Sequence, residues 1–363
     1  MPNYQNTREI LGDQAALDAF ITHALTVLAD DKIKTLRANA FLQQPLEEVY
    51  LPALETIQGS SPVFQECDDL KKIYIGLTTG AVCAANAACN LIGQIGRAMV
   101  FVPDDLVESY LSTTPWSKFP SRIKGVSHEN DVFYDISEIT DSWETIIARV
   151  NDGTAASVYK IGQYKTIDLY TEGQISFQIA GINADELADG SGMAQLSFIG
   201  RQCLTTARQI NNSYSTTTGR VNGYGSYGGW KECLLRAALE TDVLPLFPSA
   251  IAQAIKSVKK YSRTLNTDDT YTNNEETADK LWIPSRRELW MSDAEETSGP
   301  QYDLIMYNTA ARIRTRAGST STYHLRNSAS NQAFGSIRTS GTYNAYQYAG
   351  PNQKSGVLLG FCM

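Results

Sequence analysis

The chain has 363 residues, 42% of them hydrophobic and 10% aromatic, and a formal net charge of -8. That length suits two domains of roughly 100–200 residues each, and the composition excludes a disordered chain. The acidic balance argues against nucleic acid as a partner, because phosphate contacts need clustered Lys and Arg.

The first thirty residues lack the basic and apolar regions of a secretory signal, and no run approaches the ~18 apolar residues of a membrane helix. The expectation is a soluble protein made in a cytoplasm, with no membrane insertion. Six cysteines, Cys67, Cys83, Cys89, Cys203, Cys233 and Cys362, form no CxxC pair and read as buried free thiols.

In chain order, "DQAALDAFITHALTVLADD" spaces Leu17, Phe20, Ile21, Ala24, Leu25 and Leu28 for one amphipathic helix over Gln14–Leu28, with Asp13 as N-cap. A repeat of about 23–24 residues follows. It superposes Phe41 on Phe64, Leu46 on Leu70, Val49 on Ile73 and Leu51 on Ile75, and predicts short strands at Glu48–Leu51 and Lys72–Ile75. One such unit cannot bury its apolar face, so neighbours must stack. "AMVFVPDDLVESYLSTTPWSKFPSRIKGVS" then offers a last strand, a helix opened by Pro103 over Asp104–Leu111, a Trp-Ser pair and "RIK".

Residues 33–126 resemble the leucine-rich repeats of bacterial surface proteins and gut-phage proteins. The resemblance implies a short solenoid with the Gln14–Leu28 and Asp104–Leu111 helices as caps. An ordinary small α/β domain with chance periodicity is the alternative. The expected division is 1–126 for this module, 127–137 for a polar linker, and 138–363 for a second domain.

In that second domain, "ITDSWETIIARVNDG" predicts a helix and "YKIGQYKTIDLYTEGQISFQIAGIN" two strands about a turn at Thr171–Gln174. "AQLSFIGRQCL" adds a strand. "NGYGSYGGW" reads as a flexible surface loop, since it lacks the GxxxxGK[ST] spacing of a phosphate loop. Helices are expected in "WKECLLRAALE" and "PSAIAQAIKSVKKYS", a polar loop over Thr264–Asp279, and short strands to the end. "AFGSIRTSGTYNAYQYA" reads as a hairpin turning at Ser340-Gly341.

The ordered set "YKIGQYKTI", "GGWKECLLR", "AIKSVKKYS", "LWIPSRREL" and "YHLRNS…AFGSI…SG…GVLLGFC" resembles a C-type lectin-like domain common in phages and gut bacteria, over about residues 157–363. The same fold hosts the variable proteins of diversity-generating retroelements. Overall the fold class expected is α+β, a C-type lectin-like fold preceded by the short solenoid with capping helices. This sequence departs from the family's aromatic pair and "LRS", with Tyr323-His324 and Leu325-Arg326-Asn327 in their place.

The resemblance implies a binding face at Tyr323, His324, Asn327, Ser328, Ser330, Asn331, Gly335, Ser336, Ser340, Tyr343, Asn344, Tyr346, Tyr348 and Asn352. Adenine-directed mutagenesis of Asn codons reaches the residue types at most of these positions, though not at Gln332, Gln347, Gln353 or Lys354. Tyr with Ser, Gly and Asn also makes physical sense for binding: rigid amphipathic area beside adaptable hydrogen bonds. A solvated loop has the same composition, and Tyr323 and Leu325 have a packing alternative. Phe334, Ile337, Leu359 and Phe361 read as core.

No Asp or Glu follows Asp303, while Arg312, Arg314, Arg316, Arg326, Arg338 and Lys354 do. On a strand, Arg312, Arg314 and Arg316 share one face. Two readings are open: a cationic patch for an acidic surface, or ion pairs with Glu275–Asp279 or Asp293–Glu296.

His23, His128 and His324 fit no HExxH, no convincing G-x-S-x-G is present, and no clustered carboxylates suggest calcium. No metal, cofactor or catalytic residue is expected. The function expected is non-enzymatic binding of a bacterial cell-surface protein or glycan, on a phage or prophage tail or in the host cytoplasm before assembly. Other virion or tail proteins would contact the N-terminal module, and a homo-oligomer is among the expected states. The alternatives are a bacterial surface adhesin and a C-type lectin-like oxidase using Cys203 and Cys233.

Overall fold

A computed structural model describes residues 26–37, 40–41, 44–58, 63–64, 67, 69–85, 98–118, 120–128, 137–212, 220–289, 295–302, 309–350 and 352–363. Helices and strands are mixed, and the chain divides into two compact units, residues 1–132 and 133–363.

The N-terminal unit is built from parallel ladders. Strands β1 (Val27–Ala29), β2 (Thr35–Arg37), β3 (Glu48–Leu51), β4 (Thr56–Gln58), β5 (Lys72–Ile75), β6 (Ala84–Ala85), β7 (Met99–Val102) and β8 (Ile123–Gly125) lie in two sheets, alternating between them as far as β7. One sheet runs β1-β3-β5-β7-β8 and the other β2-β4-β6. The first pairs Val49 with Ile73 and Leu51 with Ile75, the residues that the sequence repeat superposes. Those four side chains are buried, because alternate residues of a strand point to one side. On the other side Tyr50 stacks on Tyr74 at 4.2 Å, and Tyr74 on Phe101 at 5.0 Å.

The end of the N-terminal unit is closed by side chains. Helix α1 (Val107–Ser112) follows a short turn begun by Pro103, with Asp104 and Asp105 at its positive end. The Tyr110 hydroxyl accepts from Cys83 N–H at 2.9 Å, and Trp116 Nε1 donates to the Cys83 carbonyl at 2.9 Å. Both rings are buried, edge to face at 5.3 Å. The predicted Gln14–Leu28 helix lies mostly outside the described residues. Its last two residues are strand, because Val27 and Leu28 pair with Glu48 and Val49.

In the C-terminal unit, α2 (Trp143–Asn151) starts at Ser142, whose hydroxyl accepts from Thr145 N–H, and buries Ile146 and Val150. After α3 (Ala155–Val158) come β9 (Tyr164–Asp168), β10 (Gln174–Ile182) and β11 (Leu196–Gly200), which form an antiparallel sheet. Helix α4 (Leu234–Ala238) runs into a π-turn, and α5 (Ser249–Ala254) is followed by β12 (Val258–Leu265), β13 (Tyr271–Asp279), β14 (Leu281–Trp282) and α6 (Arg286–Leu289). Then come α7 (Thr309–Arg312), β15 (Arg314–Arg316), β16 (Ser319–Ser321), β17 (Tyr323–Ser330), β18 (Ala333–Ile337), β19 (Tyr343–Tyr348) and β20 (Gly360–Cys362).

The chain end returns to the middle of the main sheet, ordered β14-β20-β11-β10-β9. Phe361 on β20 packs at 5.0 Å from Phe198, 5.1 Å from Phe177 and 5.6 Å from Phe247, and so centres the core. Gly360 is required there, since a Cβ would sit 2.4 Å from the Trp282 ring.

Two expectations give way. The helix over 248–262 stops at Ala254, and Val258–Leu265 is instead a strand paired with β13. The Thr264–Asp279 "loop" is therefore half of a hairpin. The β13 strand carries no apolar alternation, and within it only Thr277 and Asp279 turn inward to burial.

Candidate functional site

The proposed binding stretch forms a three-stranded sheet, β17-β18-β19. Its inner side is core: Tyr323, Leu325, Phe334 and Ile337 are fully buried. The turn between β18 and β19 closes through Arg338 N–H to the Thr342 carbonyl and Gly341 N–H to the Arg338 carbonyl, with Gly341 at φ 79.

The fourteen expected face residues separate. Tyr323, His324, Asn327, Ser328, Gly335 and Ser336 are buried and do not belong to an exposed face. The Tyr323 hydroxyl donates to the Arg312 carbonyl at 2.9 Å. His324 Nε2 bonds the Arg208 carbonyl at 2.9 Å, and burial pushes the imidazole down to about 4, so it is neutral at neutral pH. Ser328 Oγ donates to the Ser226 carbonyl at 3.1 Å.

Asn327 has a positioning role. Its Oδ1 accepts from Arg286 N–H at 3.2 Å and its Nδ2 donates to the Tyr343 hydroxyl at 3.2 Å, while the Arg286 guanidinium lies 4.7 Å from the Tyr343 ring centre. Gly335 makes room: a Cβ there would meet Asn327 Nδ2 at 2.8 Å and Tyr343 at 3.0 Å. Asn327 and Gly335 thus fix the ring that shows itself at the surface.

What remains accessible falls at two ends of the β18–β19 ladder. At the turn end are exposed Ser340 and half-buried Tyr343 and Asn344, with Arg338 Nη2 donating to Asn344 Oδ1 at 3.2 Å. At the other end are Ser330, exposed Asn331 and Tyr348, a residue 50% exposed; Asn352, four residues beyond, is exposed too. Tyr348 pairs with Ala333 and Tyr343 with Ile337, so the length of β18 separates the two groups. The side chain of Tyr346 lies outside the described residues.

Sequence reasoning missed two neighbours. The "NGYGSYGGW" stretch is mostly buried and tied down: Ser226 N–H donates to the Asn331 carbonyl at 3.3 Å and Gly228 N–H to the Leu265 carbonyl at 2.8 Å. A Cβ at Gly229 would collide with Thr264 at 2.2 Å, which explains the glycine without any flexibility. Near β17, a groove of about 320 Å³ is lined by Thr206, Ala207, Arg208, Gln209, Leu234, Leu235, Ala238 and Lys354. Two of its lining residues are tied to Glu172, which accepts from Thr206 N–H at 2.8 Å and Arg208 at 3.2 Å, and also from Thr205 Oγ1 at 2.8 Å. Burial opposes ionisation of Glu172, yet these donors hold its carboxyl below the usual range.

The arginine repeat forms no surface patch. Arg312 ends α7 and donates to the Gly341 carbonyl; Arg314 donates to the carbonyls of Gly200, Ala311 and Ile313. Both are buried, and Arg316 reaches the Thr205 carbonyl. Of the acids proposed as their partners, Glu275 pairs with Lys231, Asp279 with Arg236 and Glu295 with Arg263, while Asp293 lies outside the described residues. Cys203 and Cys233 are buried thiols, and burial pushes each up to about 12, which disfavours the thiolate that redox chemistry would need. Among the described residues no group of His, Cys, Asp and Glu is arranged to hold a metal ion, and no helix is long and apolar enough to cross a membrane.

A family model described as a domain of unknown function, DUF6273, matches residues 203–356. The match runs from Cys203 through the groove, the β12–β13 hairpin and the β17-β18-β19 sheet, and stops short of β20. No curated protein and no solved structure matches the chain.

Proposed function

We propose that the chain is a non-enzymatic ligand-binding protein, carried on a phage or prophage tail, whose C-terminal unit is a C-type lectin-like display domain of the retroelement-diversified kind. The N-terminal unit is, in this reading, a short leucine-rich-repeat solenoid that docks to other tail proteins. The stacked parallel ladders, with one strand in each sheet per coil, support the solenoid.

The observation that carries the binding reading is the contrast between backbone and surface in the β17-β18-β19 sheet. The inner side chains are fully buried and fix the scaffold, whereas Asn331, Ser340, Asn344, Tyr348 and Asn352 project short polar or Tyr side chains. Such positions change identity at little cost to stability, since surface substitutions usually shift it by less than about 0.5 kcal/mol. The ligand class is a bacterial surface protein or glycan, and weak single sites would be raised by avidity.

The test is binding of the full chain, arrayed on beads, to a panel of intact bacteria. Replacing Tyr348 and Asn331 together by Ala should weaken adhesion roughly tenfold, as loss of a central aromatic contact does. Unchanged adhesion in that double variant contradicts the assignment of the face.

A further inference from the structure

The C-terminal unit encloses charged groups that ligand binding does not use. Lys260 and Asp185 are fully buried, and Glu288 and Arg326 nearly so. Lys260 Nζ lies 2.6 Å from Asp185 Oδ1 and 2.9 Å from Glu288 Oε1. It also sits 3.4 Å from the centre of the Trp282 ring, with Tyr302 and Cys362 closing the chamber.

The two carboxylates are held differently. Glu288 accepts from both Nη atoms of Arg326 at 3.0 Å and from Ser285 N–H at 2.8 Å, a bidentate charge-assisted pair. Asp185 has no guanidinium in contact. Its Oδ2 receives the neutral hydroxyls of Ser197 at 2.5 Å and Tyr302 at 2.7 Å, which leaves Oδ1 to the amine. One oxygen is thus cradled by donors and the other faces the nucleophile.

We propose that this chamber is a modification site, in which Lys260 and Asp185 condense to an intramolecular amide with Glu288 as the proton shuttle. One proton passes from Nζ to Oδ1 along the short contact, giving a neutral amine and a neutral carboxyl. The amine lone pair attacks Cγ and the C–N bond forms. Negative charge gathers on Oδ2, where the Ser197 and Tyr302 hydroxyls stabilise it as an oxyanion hole does. Glu288 takes the second proton from nitrogen and returns it to the Oδ1 hydroxyl. The Cγ–Oδ1 bond breaks, one water leaves, and no oxidant or reductant is required. Held reactants reach effective molarities of about 10⁵ M or more, enough to drive a condensation that bulk water opposes. The product loses both charges of the Lys260–Asp185 pair and leaves Arg326–Glu288 as a neutral pair, so burial favours it.

Intact-mass measurement on the folded full chain decides the matter. The wild-type protein should weigh one water less than its sequence, about 18 Da, and digestion should yield a branched peptide joining Asp185 and Lys260. Lys260→Arg, which keeps the charge and lacks the nucleophile, should have the full sequence mass. Glu288→Gln should also stay at full mass, and a fully condensed Glu288→Gln protein would overturn the shuttle. A wild-type mass that stays at the sequence value after long incubation at neutral pH would overturn the proposal and leave an ion network only. A water loss that persists in Lys260→Arg would overturn it equally.

Discussion

His324 illustrates how far burial governs the chemistry of single residues here. Beside Tyr323 in an Asn- and Ser-rich stretch it reads as surface, yet β17 turns it inward against the Arg208 carbonyl. Its folded-state pKa, about 4, lies below the unfolded value of about 6.5. The unfolded chain therefore takes up the proton first. Stability is full above about pH 6.5 and is lost as the pH falls through about 4, by an amount on the order of 3 kcal/mol. Thermal melts between pH 7 and 4 should show His324→Gln losing less stability than wild type across that window; parallel curves would contradict the assignment. At the same scale, Tyr348 and Asn331 are exposed, and changing them should alter adhesion while leaving the melting temperature within a degree or two.

At the scale of elements, legibility followed apolar alternation. Glu48–Leu51 and Lys72–Ile75 were readable because each puts two large aliphatics on one side, and the coil ladder uses the same registers. The hairpin turn at Ser340-Gly341 was readable from its glycine. The β12–β13 hairpin was not, since Lys, Ser, Thr, Asn and Glu cover most of it and, between buried Val258 and Leu265 and beyond them, its buried positions are polar: Lys260, Ser262, Thr264, Thr277 and Asp279. Ile251, Ile255 and Val258 satisfy a helical period, but the helix ends at Ala254 and the strand begins at Val258. Six of the fourteen expected face residues are buried, and Tyr323, His324 and Ser328 show one reason they were misread. Polar side chains that bond backbone carbonyls in the interior look, in sequence, like solvated ones. The elements also differ in what they support. Phe361→Ala should cost about 3–5 kcal/mol, read as a lower denaturation midpoint, because four aromatic rings meet on β20. Trp116→Ala should speed amide exchange in β7 and β8 and leave β10 and β11 protected; uniform loss across both units would contradict a local closing role.

Taken as a whole molecule, the protein combines a mixed helix-and-strand C-terminal unit, crossed by a buried charged chamber, with an N-terminal unit of parallel strand ladders. The chamber was invisible in the sequence because its members, Asp185, Lys260, Glu288 and Arg326, stand far apart in the chain and meet only through packing. A scaffold tied internally in this way tolerates change at its rim. In the function proposed above, the rim of the β17-β18-β19 sheet binds a bacterial surface ligand. The most direct measurement is adhesion of the multivalent full chain to intact bacteria, wild type against the paired Tyr348→Ala and Asn331→Ala change, with melting temperatures taken on both. The account predicts selective adhesion by wild type and a roughly tenfold loss in the variant at unchanged stability. Adhesion that is equal in the two proteins would contradict it, and so would absence of wild-type adhesion across the panel.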